Sequence, residues 1–96
     1  MILDLKKIFS ILEDYVIIKF NNQLPSYNKN DDIDILTSNI LKNKNIIINW
    51  YDKSLYYHKI VKINNSHLQL DIFLIGENNL TLRFDLFEKL NYTKFS

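Results

Sequence analysis

Three aspartates are the residues of this sequence best suited to chemistry. Asp32 and Asp34 stand two positions apart in the stretch NDDIDIL, and Asp71 stands in the later stretch LQLDIFLIG. Carboxylate oxygens are hard ligands of the kind that Mg²⁺ prefers, often together with substrate phosphates. Two such ions about 3.5–4 Å apart can activate an attacking oxygen and stabilise a leaving one. If the three aspartates meet in space, they predict metal-assisted phosphate chemistry.

Strand periodicity indicates which way these carboxylates point. Side chains alternate between the two faces of a strand. The even-numbered positions from Leu68 to Leu74 are all Leu or Ile and should face the core, which puts Asp71 on the opposite face. The same parity turns the isoleucines beside Asp34 inward, so Asp32 and Asp34 share the outer face. Should the two strands be neighbours, the three carboxylates would converge.

A second interpretation of Asp71 needs no metal. A five-residue loop over Ile75–Asn79 pairs apolar residues of the last two strands with each other, and face matching favours this register. The register sets Arg83 across from Asp71 and Asp85 across from Gln69. Asp71 would then be a cross-strand ion-pair partner of Arg83.

The hydrophobic patterns predict one domain over residues 1–96, of the α+β class, with a small mixed or antiparallel sheet, an N-terminal helix and short flanking helices. Asn21–Asp31 is polar, contains the single proline, and is predicted to be a loop. The predicted helices are Ile2–Glu13, a stretch capped by Thr37 or Ser38 that runs to about Lys44, and a closing turn with Leu86, Phe87 and Leu90; the predicted strands are Tyr15–Phe20, Asp32–Leu36, Ile46–Tyr51, Leu55–Ile63, His67–Ile75 and Leu80–Asp85.

The composition excludes several classes of protein. The 96 residues carry a net charge of +1, no cysteine and one glycine, which rules out disulfides, Cys-ligated zinc and glycine-rich phosphate loops. No apolar run approaches the ~20 residues of a membrane-spanning helix, so no membrane partner is expected. Lys6 and Lys7 interrupt the N-terminal pattern, which is unlike a secretory signal and predicts a cytoplasmic protein.

Four stretches carry a resemblance to a known superfamily. They are YVIIKFNNQLPSY, NDDIDIL, LQLDIFLIG and LRFDLFEKLNY. Their order, an Asp-x-Asp strand followed by a strand with a third Asp, resembles the nucleotidyltransferase superfamily with its polymerase-β-like fold. More narrowly, they resemble small nucleotidyltransferase-like proteins found among bacterial surface-polysaccharide genes. The resemblance implies a minimal nucleotidyltransferase-like fold.

The resemblance also implies a site. In active members the Asp-x-Asp pair and the third Asp hold two Mg²⁺ ions and a nucleoside triphosphate, and a nucleotidyl group passes to a hydroxyl. Asp32 and Asp34 match the pair, and Asp71 matches the third ligand, which also activates the acceptor hydroxyl. Active members carry a Gly-Ser pair before the Asp-x-Asp, but residues 21–30 contain no glycine. The expected phosphate-binding residues are therefore Lys19 and Lys29, or asparagine side chains in their place.

Two other functions remain open from the sequence. Without the Gly-Ser pair, the chain could be a catalytically inactive interaction module that binds a partner protein or a second copy of itself. An aromatic patch around Trp50 with nearby lysines could stack on nucleic-acid bases, although the near-neutral charge argues against it and core packing is preferred. His58 and His67 lie on different predicted strands with no third metal ligand at suitable spacing, so both are predicted to be surface or half-buried residues.

Overall fold

The computed structural model describes residues 3–19, 24 and 26–88 of the chain. The fold in this part of the chain is α+β, with two helices and a five-stranded mixed sheet, as the sequence predicts. The elements in chain order are α1 (Leu5–Ile11), β1 (Tyr15–Lys19), β2 (Asp31–Thr37), α2 (Ile40–Trp50), β3 (Tyr56–Asn64), β4 (His67–Leu74) and β5 (Leu80–Glu88).

The strand order of the sheet is β1-β2-β5-β4-β3. β2 and β5 run parallel, whereas the other neighbouring pairs are antiparallel. The chain leaves β2, forms α2 and the β3–β4 hairpin, and returns as β5 between β2 and β4. Because of this return, β5, the last strand in the part of the chain that the structure describes, is the central strand of the sheet.

The core lies on one face of the sheet, where both helices pack. Strand residues of one parity point into it, as alternation requires. Removing these side chains from water is the main force that holds the helices on the sheet, at about 25 cal/mol per Å² of apolar surface. The fully buried members are Leu5, Ile8, Ile33, Ile35, Ile47, Leu70, Ile72, Leu82, Phe84 and Leu86.

A buried polar residue, Asn43, joins three parts of the fold on this face. The Glu13 backbone N–H donates to its Oδ1 at 2.9 Å, and its Nδ2 donates to the Glu13 carbonyl at 2.7 Å and to Thr37 Oγ1 at 2.8 Å. These bonds tie α2 to the segment after α1 and to the end of β2. Because Asn43 and Thr37 are both fully buried, the partners cannot be replaced by bulk water.

The predicted strand Ile46–Tyr51 is wrong, because Ile46–Trp50 continues α2. The β-branched run Ile46–Ile48 favours a strand by propensity, but Ile40, Asn43 and Ile47 recur at helical spacing and all are buried. Packing of these three residues into the core therefore overrides the local preference of the segment for a strand. The helix also begins later than predicted, with Asn39 as the cap, whose side chain accepts from the Lys42 N–H.

The predicted closing helical turn is also wrong at Leu86 and Phe87, which belong to β5. They pair with Ile35 and Leu36 of β2, respectively, on one side and with the start of β4 on the other, so two ladders hold them extended. Leu90 lies outside the described residues, as do Ile2 and Phe20. The remaining predicted elements are confirmed to within a few residues wherever the structure describes them.

Neither helix of the described part of the chain is long and apolar enough to cross a membrane.

A histidine–tyrosine pair at the end of α2 predicts a pH-dependent stability. The Tyr51 hydroxyl lies 2.5 Å from His58 Nδ1, and burial lowers the pKa of His58, with the charges of Lys53 and Lys44 lowering it further. The unfolded chain, with a histidine pKa near 6.5, then binds more protons than the native chain in mildly acid solution. We expect this contribution to be complete above about pH 7.5, to begin to fall near pH 6.5, and to be lost as the pH drops further through the lower pKa of His58 in the folded state.

Urea unfolding of the wild type and of His58→Gln, compared at several pH values from 5 to 8, measures this effect. The variant should show a flatter dependence of the unfolding free energy on pH. Parallel curves for the two proteins would contradict the assignment to His58.

Candidate metal centre

The two parallel strands bring three aspartates together on the sheet face opposite the helices. In the β2–β5 register Asp34 lies beside Asp85, and Asp32 lies beside Arg83. One carboxylate oxygen from each of Asp32, Asp34 and Asp85 lies within 4.8 Å of the other two. Oxygens that share one Mg²⁺ or Ca²⁺ at about 2.0–2.6 Å are at most about 4–5 Å apart. Three hard donors at this spacing fit a divalent cation.

The three carboxylates differ in their exposure. Asp85 is only 5% exposed, whereas Asp32 and Asp34 are half-buried. A buried carboxylate is costly unless hydrogen bonds or opposite charges compensate it. Asp85 therefore needs partners within the fold.

His67 is such a partner. It begins β4, and its Nε2 lies 2.7 Å from Asp85 Oδ1. Its ring stacks on Phe87 of β5, with centroids 4.1 Å apart and an interplanar angle of 24°. An ionised carboxylate only accepts hydrogen bonds, so Nε2 is the nitrogen that carries the proton toward Asp85.

Asp71, the third ligand expected from the sequence, is held elsewhere on the same face. Arg83 donates to it twice, from Nε to Oδ1 at 2.7 Å and from Nη2 to Oδ2 at 3.0 Å. These hydrogen bonds raise the pKa of the Arg83 guanidinium above its usual value, and the charges of the surrounding carboxylates add to the effect. Because β5 separates β4 from β2, the strands of Asp71 and Asp34 are about 9–10 Å apart.

The structure thus realises the register in which Arg83 stands across from Asp71, and Asp85 across from Gln69. Asp32 and Asp34 do face outward together, as strand parity predicts. Their third neighbour is Asp85 rather than Asp71. The role of Asp71 as a metal ligand stays a prediction, and the geometry of the described residues favours Asp85 for that position.

The two lysines predicted to bind phosphate lie in different surroundings. Lys29 Nζ forms an ion pair with Glu77 Oε1 at 2.5 Å, which links the turn before β2 to the β4–β5 loop. Lys19 ends β1 with its Cα opposite Asp34, but its side chain lies outside the described part of the structure. Arg83 is a cation that the structure sets directly beside the acidic group, since its neighbours across the two ladders are Asp32 and Asp71.

Asp85 and His67 are the residues that the sequence interpretation did not assign to the site. One signal was available: Arg83 and Asp85 alternate with Leu82, Phe84 and Leu86, which indicates an outward polar face on β5. That pattern could not show that β5 pairs with β2. The neighbouring Asp31 accepts from the Asn28 N–H at 2.7 Å and so stabilises the turn that leads into β2.

The aromatic patch is largely part of the core. Tyr51 and Tyr56 are buried and meet edge to face, and Trp50 packs edge to face on Phe84. Rings in these positions present little surface to a base. The preferred interpretation from the sequence, packing rather than base stacking, agrees with this arrangement.

Comparison of the chain with protein-family models, with curated proteins and with solved structures gave no match. Its function must therefore be inferred from the site itself.

Proposed function

We propose that this chain binds a divalent cation, of which Mg²⁺ is the expected one, through Asp32, Asp34 and Asp85. We further propose that it binds a nucleoside triphosphate there and transfers its nucleotidyl group to a hydroxyl. The observation that carries the proposal is the meeting of three carboxylates on two adjacent parallel strands. The resemblance to small nucleotidyltransferase-like proteins supports the reaction class and an acceptor in surface-polysaccharide synthesis. A cytoplasmic location is part of the same proposal.

The chemistry of the donors fits a hard cation, because all three offer carboxylate oxygens within reach of one another. A cation bound there would neutralise charge on phosphate oxygens and on the leaving group. A second ion, as the resemblance implies, would share the same carboxylates. The three aspartates bind and position; the substrate phosphates complete the coordination.

Arg83 supplies the phosphate contact that this chain cannot obtain from a glycine loop. A guanidinium has five N–H donors, and Asp71 receives two of them. Its side chain is 35% exposed, so donors can reach a phosphate oxygen at the surface of the sheet. In this assignment Asp71 sets the plane of the guanidinium, which is the geometry that arginine needs for phosphate recognition.

The transfer step follows from the class of reaction. The acceptor hydroxyl oxygen forms a bond to the α-phosphorus, the bond from that phosphorus to the β-phosphate oxygen breaks, and pyrophosphate leaves. The hydroxyl proton passes to a carboxylate of the site. Asp85 is suited to this role by its position between the Asp-x-Asp pair and His67.

The charge arrangement predicts that a divalent cation stabilises the wild type more than it stabilises Asp34→Asn. Asp34 lies beside Asp85, so a cation bound by both carboxylates would offset their mutual repulsion, and the asparagine variant lacks this gain. With saturating Mn²⁺ the wild type should gain more stability than the variant, since a ligand that binds only the native state stabilises it.

Thermal unfolding of both proteins with chelator and with Mn²⁺ measures the gain in each protein. A wild type that Mn²⁺ does not stabilise would contradict the proposed cation site. The triphosphate is tested by calorimetric titration of the Mn²⁺-loaded wild type and of Asp34→Asn with each of the common nucleoside triphosphates. The proposal is supported if the wild type shows a heat of binding with a nucleoside triphosphate and Asp34→Asn shows none.

An interaction module without catalysis is the second candidate function, and β3 favours it. Among the described residues no strand pairs with the outer side of this edge strand, and Ile60, Val61 and Ile63 are between 40% and 48% exposed. An edge strand of nine residues with exposed apolar side chains can accept a further strand from a partner. Absence of cation binding together with self-association in a solution mass measurement would favour this candidate.

A further inference from the structure

His67 holds the one deeply buried carboxylate of the proposed cation site. Its Nε2 donates to Asp85 Oδ1 at 2.7 Å, and the His67 side chain is itself only 19% exposed. The ring cannot turn freely, because it stacks on Phe87 at a centroid distance of 4.1 Å. Two contacts on different atoms thus fix where the imidazole N–H points.

A hydrogen bond at one carboxylate oxygen still leaves room for a cation. The two oxygens of a carboxylate offer about four lone-pair sites in all. Without a partner, the carboxylate of Asp85 could rotate about its last torsion, which has a broad and roughly two-fold energy profile. The bond from His67 removes that freedom and keeps an oxygen of Asp85 within 4.8 Å of Asp32 and Asp34.

We propose that His67 is a positioning residue of the cation site, which orients Asp85 toward the cation without touching the cation itself. The inference rests on the proposed function, because it presupposes that the three aspartates bind a divalent ion. Carboxylate ligands are commonly held by hydrogen bonds of this kind, and loss of such a partner typically costs 10–100-fold in metal affinity. His67 would therefore set the affinity of the site through its Nε2–H.

The test compares Mn²⁺ affinity among matched variants, by calorimetry and by the electron paramagnetic resonance signal of free Mn²⁺. His67→Phe keeps a ring to stack on Phe87 but has no donor. His67→Gln places an amide N–H near the position of Nε2 and so restores the donor. His58→Gln removes the other histidine of the chain, which bonds to Tyr51 on the helix-covered face.

We expect His67→Phe to weaken Mn²⁺ binding by roughly 10–100-fold. His67→Gln should come within about three-fold of the wild type, because its amide N–H replaces the lost donor. His58→Gln should bind Mn²⁺ as the wild type does. Urea unfolding without metal is measured in parallel, because a purely structural role would change stability in both His67 variants and leave the affinity of the folded protein unaltered.

The outcomes separate this inference from the function it rests on. If the wild type binds Mn²⁺ and folded His67→Phe binds it equally well, or if folded His67→Gln binds as weakly as His67→Phe, the positioning role is overturned while the cation site stands. If the wild type does not bind Mn²⁺, the proposed function fails and the inference falls with it. Should His67→Phe not fold, His67→Asn replaces it: its amide is too short to reach Asp85, and an affinity equal to that of His67→Gln would overturn the proposal.

Discussion

Asp85→Asn is expected to lower the affinity for Mn²⁺ by roughly 100-fold or more, because the charge and number of carboxylate ligands set the strength of such sites. Asp85 is the buried member of the group, 5% exposed, and the two remaining aspartates come from a single strand. Without Asp85 the site has no ligand from β5. Calorimetric titration with Mn²⁺ measures the loss.

The same experiment decides between Asp85 and Asp71. Asp71→Asn removes a charge from the same face, but its carboxylate is bound to Arg83, so the expected loss of Mn²⁺ affinity is only a few-fold. Glu13→Gln controls for net charge, since Glu13 forms an exposed ion pair with Lys42 of α2, the helix that packs on the opposite face of the sheet. A large loss in Asp71→Asn with little change in Asp85→Asn would support the ligand set expected from the sequence instead.

Asn43→Leu is expected to lower the free energy of unfolding by about 2–4 kcal/mol, which is a large share of the stability of a small domain. Leucine has a similar volume and a good helix propensity, so packing and α2 itself should survive. The loss arises because three buried groups lose their hydrogen bonds with Asn43: the Glu13 N–H, which donates to it, and the Glu13 C=O and Thr37 Oγ1, which accept from it. Urea unfolding monitored by tryptophan fluorescence measures it.

Asn45→Leu is the matched control, since it makes the same change on the exposed side of α2. Surface changes of this kind usually alter stability by no more than about 0.5 kcal/mol. Equal losses in the two variants would mean that a general effect of leucine in α2, rather than the loss of the buried bonds of Asn43, accounts for the change in stability. A stable Asn43→Leu would show that the network contributes little.

Much of the fold can be predicted from local patterns in the sequence. Alternation of apolar and polar residues identifies β2, β4 and most of β5 and gives the correct faces for Ile33, Ile35 and Leu70. The β4–β5 register follows from matching apolar faces across a five-residue loop, which is a local constraint between consecutive strands.

The errors lie where distant parts of the chain decide the conformation. Ile46–Trp50 has the composition of a strand, yet it is helical because Ile47 packs into the core formed by the sheet. Leu86 and Phe87 are extended because β5 is paired on both sides, and one of its neighbours, β2, lies about fifty residues earlier in the chain.

The sequence by itself determined that Asp32 and Asp34 share an outward face and that Asp71 stands opposite Arg83, because strand parity and hairpin register depend only on neighbouring residues. The tertiary structure alone decided which acid joins the pair. Parallel pairing of β2 with β5 sets Asp34 beside Asp85, and it places β5 between Asp71 and the others. Pairing between strands far apart in sequence is selected by burial of the whole core, so no local pattern around Asp85 or His67 could reveal it.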